Sequence, residues 1–598
     1  MGCGMADQAG IQRQVQGAAL VLSLNRPPVN ALNAEVMAAL SAALSDAADD
    51  PAISAVVLAA EGPHFSPGAD VGELGRVQGA GLPNLTAKIE AMPKPVVACV
   101  AGNCLGAAAE LILACHGRVA HAGARIGFPE ISLGLVPVAG STQRLPRLVG
   151  APIALQLLTS GAPVQAVEAL AMGLLDAVVE EKPLPRAVAL ALDLAEKPVV
   201  KPADRAMGLR DPIAYQSAIA EARKTHEGWR LPAPGAVIAC VEAALLLPFD
   251  LGLTFEQAQA EAMAESPETA GLRHAFVAQR RAMLPPAALA GAASPPLSAV
   301  TVLGTAGQAP EVVQMALGAG LRVRLVAGDR DSLGAALTRI AARHEALVAE
   351  GRLSPAAREA DWARLTGRVG DGDAEPADLV LITPDASGPS AGSGPSIALG
   401  GAGPIALYPA VAVGGLAQLA IAPGASLPHQ ALALAFGRKL GWQVLVQGPG
   451  VAIDQRLRLA LARAIAALED GGQADRAQIA AALAAYGLGA GPRPKLPAAP
   501  EGGAEIQDFC LAALMNEAAV IVSESVAHRP SDVDAAALLS GLFPRWEGGP
   551  MFQADRIGAM ALRADLRQRA QRHPQIFTPA AVFDLLLAEG QTFTDLNR

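Results

Sequence analysis

Twice in this chain an apolar strand runs through a glycine turn into a helix, and that junction restricts the fold more than any other feature. The first instance is PVVACVAGNCLGAAAELILACHG at 95–117; the second begins with SAVTVLGTAG at 298–307. In each, apolar residues first follow a buried-strand pattern and then a helical one, with glycine supplying the turn. A strand feeding a helix directly is the building step of α/β architecture, so both halves are predicted to be α/β. At 598 residues the chain also exceeds what one hydrophobic core supports, and several domains are expected.

Composition removes several function classes. Hydrophobic residues make up 52% of the chain, but alanine inflates that figure. The uncharged stretch Ala386 to Gly437 is broken by Gly, Pro and Ser too often to hold roughly 20 consecutive strongly apolar residues, so no membrane span is expected. The net charge is −10 and Lys and Arg form no stripe, which argues against a nucleic-acid partner. The six cysteines are scattered, show no CxxC spacing, and read as buried thiols. No leader or peroxisomal address is evident at the ends, so the expected location is cytoplasmic.

Ahead of the first junction lie apolar Ala18 to Leu24, the turn-rich NRPPVNALN, a helix to Ala48 and a buried strand over Ile53 to Ala60. Residues from about Arg186 to Pro286 read as helices with loops, with one long connecting helix over Glu256 to Arg281. PPAALAGAASPP at 285–296 is a break, after which a second doubly wound sheet begins, with its second strand at Leu321 to Val326. Ser387 to Gly403 and Pro492 to Gly503 read as connectors.

Three segments are candidates to converge on one pocket: GPHFSPGADV at 62–71, GNCLGAAAE at 102–110 and IGFPEISLGLVPVAGSTQRLPRLVG at 126–150. Glu110 interrupts an apolar helix and Glu130 sits in an apolar Phe-Pro-Glu-Ile context, where a lone charge is costly without a task. His64, His116 and His121 have no sequence partner that makes them more than ordinary histidines. Together with the LNRPPVNALN opening, these segments resemble the crotonase (enoyl-CoA hydratase/isomerase) family over roughly the first 190 residues.

The resemblance implies hydration of a trans-2-enoyl-CoA to a 3-hydroxyacyl-CoA. Glu110 would activate water and Glu130 would protonate the α-carbon. The backbone N–H groups of Ala69 and Ala107 would form the oxyanion hole, the second favoured by the positive end of a helix. Members that keep only the second glutamate tend to be isomerases, so both together favour hydration, with Δ3-Δ2 isomerisation as a possible companion. Coenzyme A or substrate contacts are expected from Val29, Ser66, Gly68, Asp70, Gly106 and Val138, with Asp70 also tying the oxyanion turn. Two departures from the family, Ala107-Ala108-Ala109 in place of a glycine run and Val138 in place of glycine, reshape the acyl pocket.

The second half resembles the 3-hydroxyacyl-CoA dehydrogenase module of the multifunctional β-oxidation enzymes. LMNEAAVIVSESVAHRPSDVD at 514–534 and GLFPRWEGGPMFQAD at 541–555 are close to that family's last domain, and LPFDLGLTFEQAQAEAMAES at 247–266 to its linker. Its dinucleotide site is broken. After Gly304 the other two fingerprint glycines are Ala306 and Ala309, Pro310 interrupts the helix start, and Ala327 stands where a ribose-binding acid belongs, with Asp329 two residues late. Ile405 stands in place of the catalytic histidine and the glutamate partner is absent from VGGLAQLAI; His344 and His429 read as solvated. NAD binding is therefore not expected.

The expected organisation is a crotonase domain of the ββα superhelix type at 1–190 and a helical extension with linker helix at 191–295. A degenerate Rossmann-like domain follows at 296–447, then all-α dehydrogenase-type domains at 448–500 and 501–598. No cofactor is required beyond the coenzyme A carried by the acyl-CoA substrate, no metal is called for, and the protein is expected as a monomer or homo-oligomer. The alternatives are a working bifunctional hydratase/NAD-dependent dehydrogenase and a non-catalytic scaffold.

Overall fold

The computed structural model describes residues 5–8, 10–70, 81–370, 377–386, 395–410, 415–489 and 495–597. Val71 and much of the connector expected at 387–403 lie outside them. The chain divides into two compact units, Met1–Arg273 and His274–Arg598.

In the first unit a seven-stranded sheet is built on the predicted strands Ala19–Leu24, Ala55–Ala60 and Val96–Val100. They pair in parallel, with Gly117–His121 next in line. Their unbroken apolar runs follow from burial on both faces. Leu22, Val56 and Ala98 pack with Leu40 and Leu44 of the helix Ala34–Asp49. Val21, Val57, Val97 and Val119 pack instead with Ala187 and Ala191 of the helix Leu184–Ala195.

A second, three-stranded sheet positions the candidate site. Asn103–Leu105 pairs in parallel with Arg125–Gly127, which pairs antiparallel with Val164–Gln165. Glycine 106 then turns the chain at φ 55 into the helix Ala107–Leu113.

The compact unit extends to Arg273, so most of the segment expected as a separate extension folds with the amino-terminal domain. The single connecting helix expected over 256–281 is two helices, Phe249–Ala264 and Pro267–Ala282. Pro267 cannot donate a backbone hydrogen bond, and the Ser266 hydroxyl accepts from Thr269 N at 3.1 Å to start the second helix.

The second unit contains an eight-stranded sheet spanning Ala299 to Gln447. Numbering its strands along the chain, the order is 3-2-1-4-5-6-7-8. Pairing is parallel through the sixth strand, and Ile405–Ala410 then runs antiparallel to Leu416–Ile421. This includes the 3-2-1-4-5-6 order of a doubly wound dinucleotide fold. Ser396–Leu399 is a strand of this sheet, so part of the expected connector is core structure.

Pro310 does not break the next helix. It occupies the first turn of Ala309–Gly318, where a missing N–H costs nothing. His344 is not solvated: it is fully buried, with Nε2 3.4 Å from Asp361, and His429 is half-buried. Both lie on helices whose inward face the single-residue context does not reveal.

From Ile453 the unit is helical, centred on Gly503–Ser523. That helix is long and apolar enough to cross a membrane, but Phe509, Cys510, Leu514 and Ile521 are buried in the surrounding helical core. Five of the cysteines are free and buried, as expected, and Cys3 lies outside the described residues.

Candidate active site

Glu110 sits on the first turn of the helix Ala107–Leu113 and is 2% exposed. Its carboxylate is held by backbone amides from one short segment: Ala139 N at 2.9 Å, Ser141 N at 3.3 Å and Val138 N at 3.3 Å. Burial raises its pKa, while these three donors oppose the rise by stabilising the anion.

Glu130 sits on the short 3-10 helix Pro129–Leu133. Its Oε2 is shielded from solvent and accepts no hydrogen bond from any described residue. Burial first, then the charge of Glu110, pushes its pKa up to about 8. Two carboxyl groups within electrostatic reach of each other thus differ in support: one has three donors aimed at it and the other has an unpartnered oxygen. This unequal support favours the proton on Glu130 and the charge on Glu110.

The two amides expected to face a thioester oxygen are brought to the same place. Ser66, fully buried, pairs with Cys104 and accepts from Gly68 N through its hydroxyl at 3.1 Å. The neighbouring turn runs parallel to Leu32, with Leu32 N donating to Gly68 O and Asp70 N donating to Leu32 O. In this arrangement Ala69 N makes no hydrogen bond to a described residue, and neither does Ala107 N at the helix start.

Gly68 has φ 99, and a Cβ there would lie 2.7 Å from Leu105 O and 3.3 Å from Ala107 N. Only glycine allows the two strands of this cradle to approach so closely. Gly106 performs a related task, since a Cβ there would lie 3.2 Å from Glu130 Oε1. The acid therefore stands directly beside the helix start that carries Ala107.

Asp70 is ion-paired with Arg26 at 2.8 Å, which ties the turn containing Val29 to the turn containing Ala69. Val29 and Val138 present exposed apolar side chains, 40% and 44% accessible. His64 Nδ1 accepts from Asn103 N and His116 Nδ1 from Val96 N; both are used structurally, and burial lowers the His116 pKa to about 4.

Sequence reasoning missed a third buried carboxylate, Glu256, which is 1% exposed on the helix Phe249–Ala264. It accepts from Gly140 N at 2.6 Å, Thr142 N at 3.0 Å and the Thr142 hydroxyl. One signal was available. Gly252, Glu256 and Ala260 are the buried residues of that helix, a four-residue spacing that marks one inward stripe.

In the second unit, the glycine turn after the first strand is occupied by the chain's own carboxylate. Asp385 accepts from Thr305 N at 3.1 Å and Ala306 N at 3.0 Å, and from the Thr383 hydroxyl. Burial alone would raise the Asp385 pKa, but these donors hold it below the usual range. Asp329 accepts from Ser332 N at 2.7 Å as a helix cap, and Ile405 is a fully buried core residue.

A family described as enoyl-CoA hydratase/isomerase matches residues 14–216. The peroxisomal bifunctional enzyme of Danio rerio is 39% identical over 279 residues, 45% of this chain and 38% of that protein. The glyoxysomal fatty acid beta-oxidation multifunctional protein MFP-a of Brassica napus is 29% identical over 378 residues, 60% of this chain and 52% of that protein. A probable enoyl-CoA hydratase of Bacillus subtilis is 39% identical over 187 residues, 30% of this chain and 72% of that protein.

The chain thus spans 38% and 52% of the lengths of the two multifunctional relatives. Their names overturn the expected cytoplasmic location, because they are assigned to the peroxisome and the glyoxysome. Ends of a sequence are weak guides to compartment, since targeting signals are short and read by receptors rather than by the fold. With most of a hydratase matched at 39% identity, and the family match spanning every strand and turn that builds the carboxylate pocket, this chain belongs to the enoyl-CoA hydratase/isomerase family.

Proposed function

We propose that the protein hydrates a trans-2-enoyl-CoA to the 3-hydroxyacyl-CoA. The observation that carries this reading is the unequal support of two buried carboxyl groups, which keeps Glu110 anionic and Glu130 protonated.

In the reaction, Glu110 takes a proton from water as the water oxygen bonds to C3. The C2–C3 π electrons shift toward C1, and the thioester oxygen becomes an enolate oxygen held by the N–H groups of Ala69 and Ala107. Glu130 then delivers its proton to C2 as the carbonyl re-forms. Water is added without a redox change, and one proton returning from Glu110 to Glu130 resets the pair. Ser66, Gly68 and Gly106 shape the cradle, Asp70 ties its turn, and Val29 and Val138 offer apolar surface to the acyl-CoA.

The second unit is read as a dehydrogenase-type module without NAD chemistry. A dinucleotide pyrophosphate would have to approach Thr305 N and Ala306 N, which already donate to the anionic Asp385; two like charges would compete for the same amides. No ribose acid stands at Ala327 and no histidine at Ile405, so the residues present do not fit NAD.

The test follows the ultraviolet band of crotonyl-CoA. Loss of the band with the parent protein and a drop of ~10²- to 10⁴-fold in Glu110→Gln is the expected result. A Glu110→Gln variant as fast as the parent would overturn the assignment.

A further inference from the structure

Five successive residues, Val138 to Thr142, divide their amides between two buried carboxylates. Those of Val138, Ala139 and Ser141 donate to Glu110, and those of Gly140 and Thr142 donate to Glu256. Glu256 also accepts the Thr142 hydroxyl. The turn is therefore clamped from both sides, with φ 94 at Gly140 in its middle. A Cβ at Gly140 would lie 2.1 Å from Arg144 Nη1, and one at Gly252 would lie 2.1 Å from Gln143 Oε1, so the helix of Glu256 packs tightly on this segment.

We infer that Glu256 is a positioning residue for hydration: it holds the 138–142 turn in the one arrangement that orients Glu110 toward water. This rests on the hydratase reading above. Glu256 lies beyond residues 14–216, the stretch matched by the family.

The three buried carboxyl groups are also coupled electrostatically. Burial first, then the Glu110 charge, pushes the Glu256 pKa up to about 8, against the Thr142 and Gly140 donors; Glu256 in turn raises Glu130. The titratable groups coupled to it are Glu110 on Ala107–Leu113, Glu130 on Pro129–Leu133 and Cys240 on Ala233–Leu246. Arg144 is engaged by Glu90 at 2.8 Å and by the Ala139 carbonyl, so it braces the same turn.

Glu256→Gln replaces an acceptor by an amide that cannot receive both backbone donors. Expected is a fall in kcat of ~10²-fold that clearly exceeds any rise in KM for crotonyl-CoA, because Ala69 and Ala107 lie outside the turn and only Val138 lies within it. Because Glu256 gains its charge over the same pH range in which Glu130 loses its proton, removing its carboxyl should also move the alkaline limb of the pH–rate profile to lower pH, and Glu256→Asp should restore that limb. If Glu256→Gln does not fold, Thr142→Val removes one donor only and should lower kcat several-fold in the same way.

A parent protein without hydration would overturn the functional reading and this role together. An active parent with kcat and pH profile unchanged in Glu256→Gln, or in Thr142→Val where the former does not fold, would overturn this role alone. A loss confined to thermal stability would also overturn it.

Discussion

If Glu130 delivers the proton, the rate of hydration should follow its protonated fraction. With the pKa pushed up to about 8, Glu130 is roughly nine-tenths protonated at pH 7 and roughly one-tenth at pH 9. The sign follows from the direction of the shift: the acid form is complete well below pH 8 and is lost as the pH rises through it. Hydration of crotonyl-CoA at saturating substrate should therefore fall about tenfold between pH 7 and pH 9. On the acid side the rate should fall as Glu110, itself raised by burial, takes up a proton and stops acting as a base. Glu130→Gln keeps the shape but has no proton to give, and should lose ~10²- to 10⁴-fold. The assay is the disappearance of the conjugated enoyl band, recorded from pH 5 to pH 10. A rate that stays level to pH 10, or a Glu130→Gln variant that matches the parent, would refute the assignment of the proton to Glu130.

Two further predictions test the cradle and the second unit. Gly68→Ala places a methyl 2.7 Å from Leu105 O at a φ of 99, and should cost ~1–3 kcal/mol in thermal or denaturant unfolding and ~10²-fold or more in kcat as the two amides separate. Incubating the protein with NAD and 3-hydroxybutyryl-CoA should produce no NADH absorbance, and calorimetry should detect no saturable NAD binding; NADH formation would refute the reading of Asp385 as occupant of the glycine turn.

Much of the architecture was legible because it rests on local signals. Strand periods, glycine turns and the apolar setting of Glu110 and Glu130 are properties of neighbouring residues, and they located the two large sheets and both carboxylates, but not the three-stranded sheet that leads into Gly106. The expectations that failed turn on where helices begin and which face of an element points inward. Pro310 read as a break yet sits harmlessly in a first helical turn, and His344 read as solvated yet is fully buried. The long helix expected over 256–281 also missed the start imposed by Ser266 and Pro267.

By itself the amino-acid order determined that two α/β units form, that a glycine turn leads into the helix of Glu110, and that Gly304 opens a fingerprint lacking its other glycines. Tertiary structure alone decided how the charges are shared. Glu256 is separated from Gly140 by 116 positions, and Asp385 from Thr305 by 80, so no local pattern could pair them. Amides left over at turns and helix starts must find an acceptor or stay available for a ligand, and only the folded chain determines which. In the first unit it leaves Ala69 and Ala107 available and spends the amides of the 138–142 turn on two carboxylates; in the second it closes the glycine turn with Asp385.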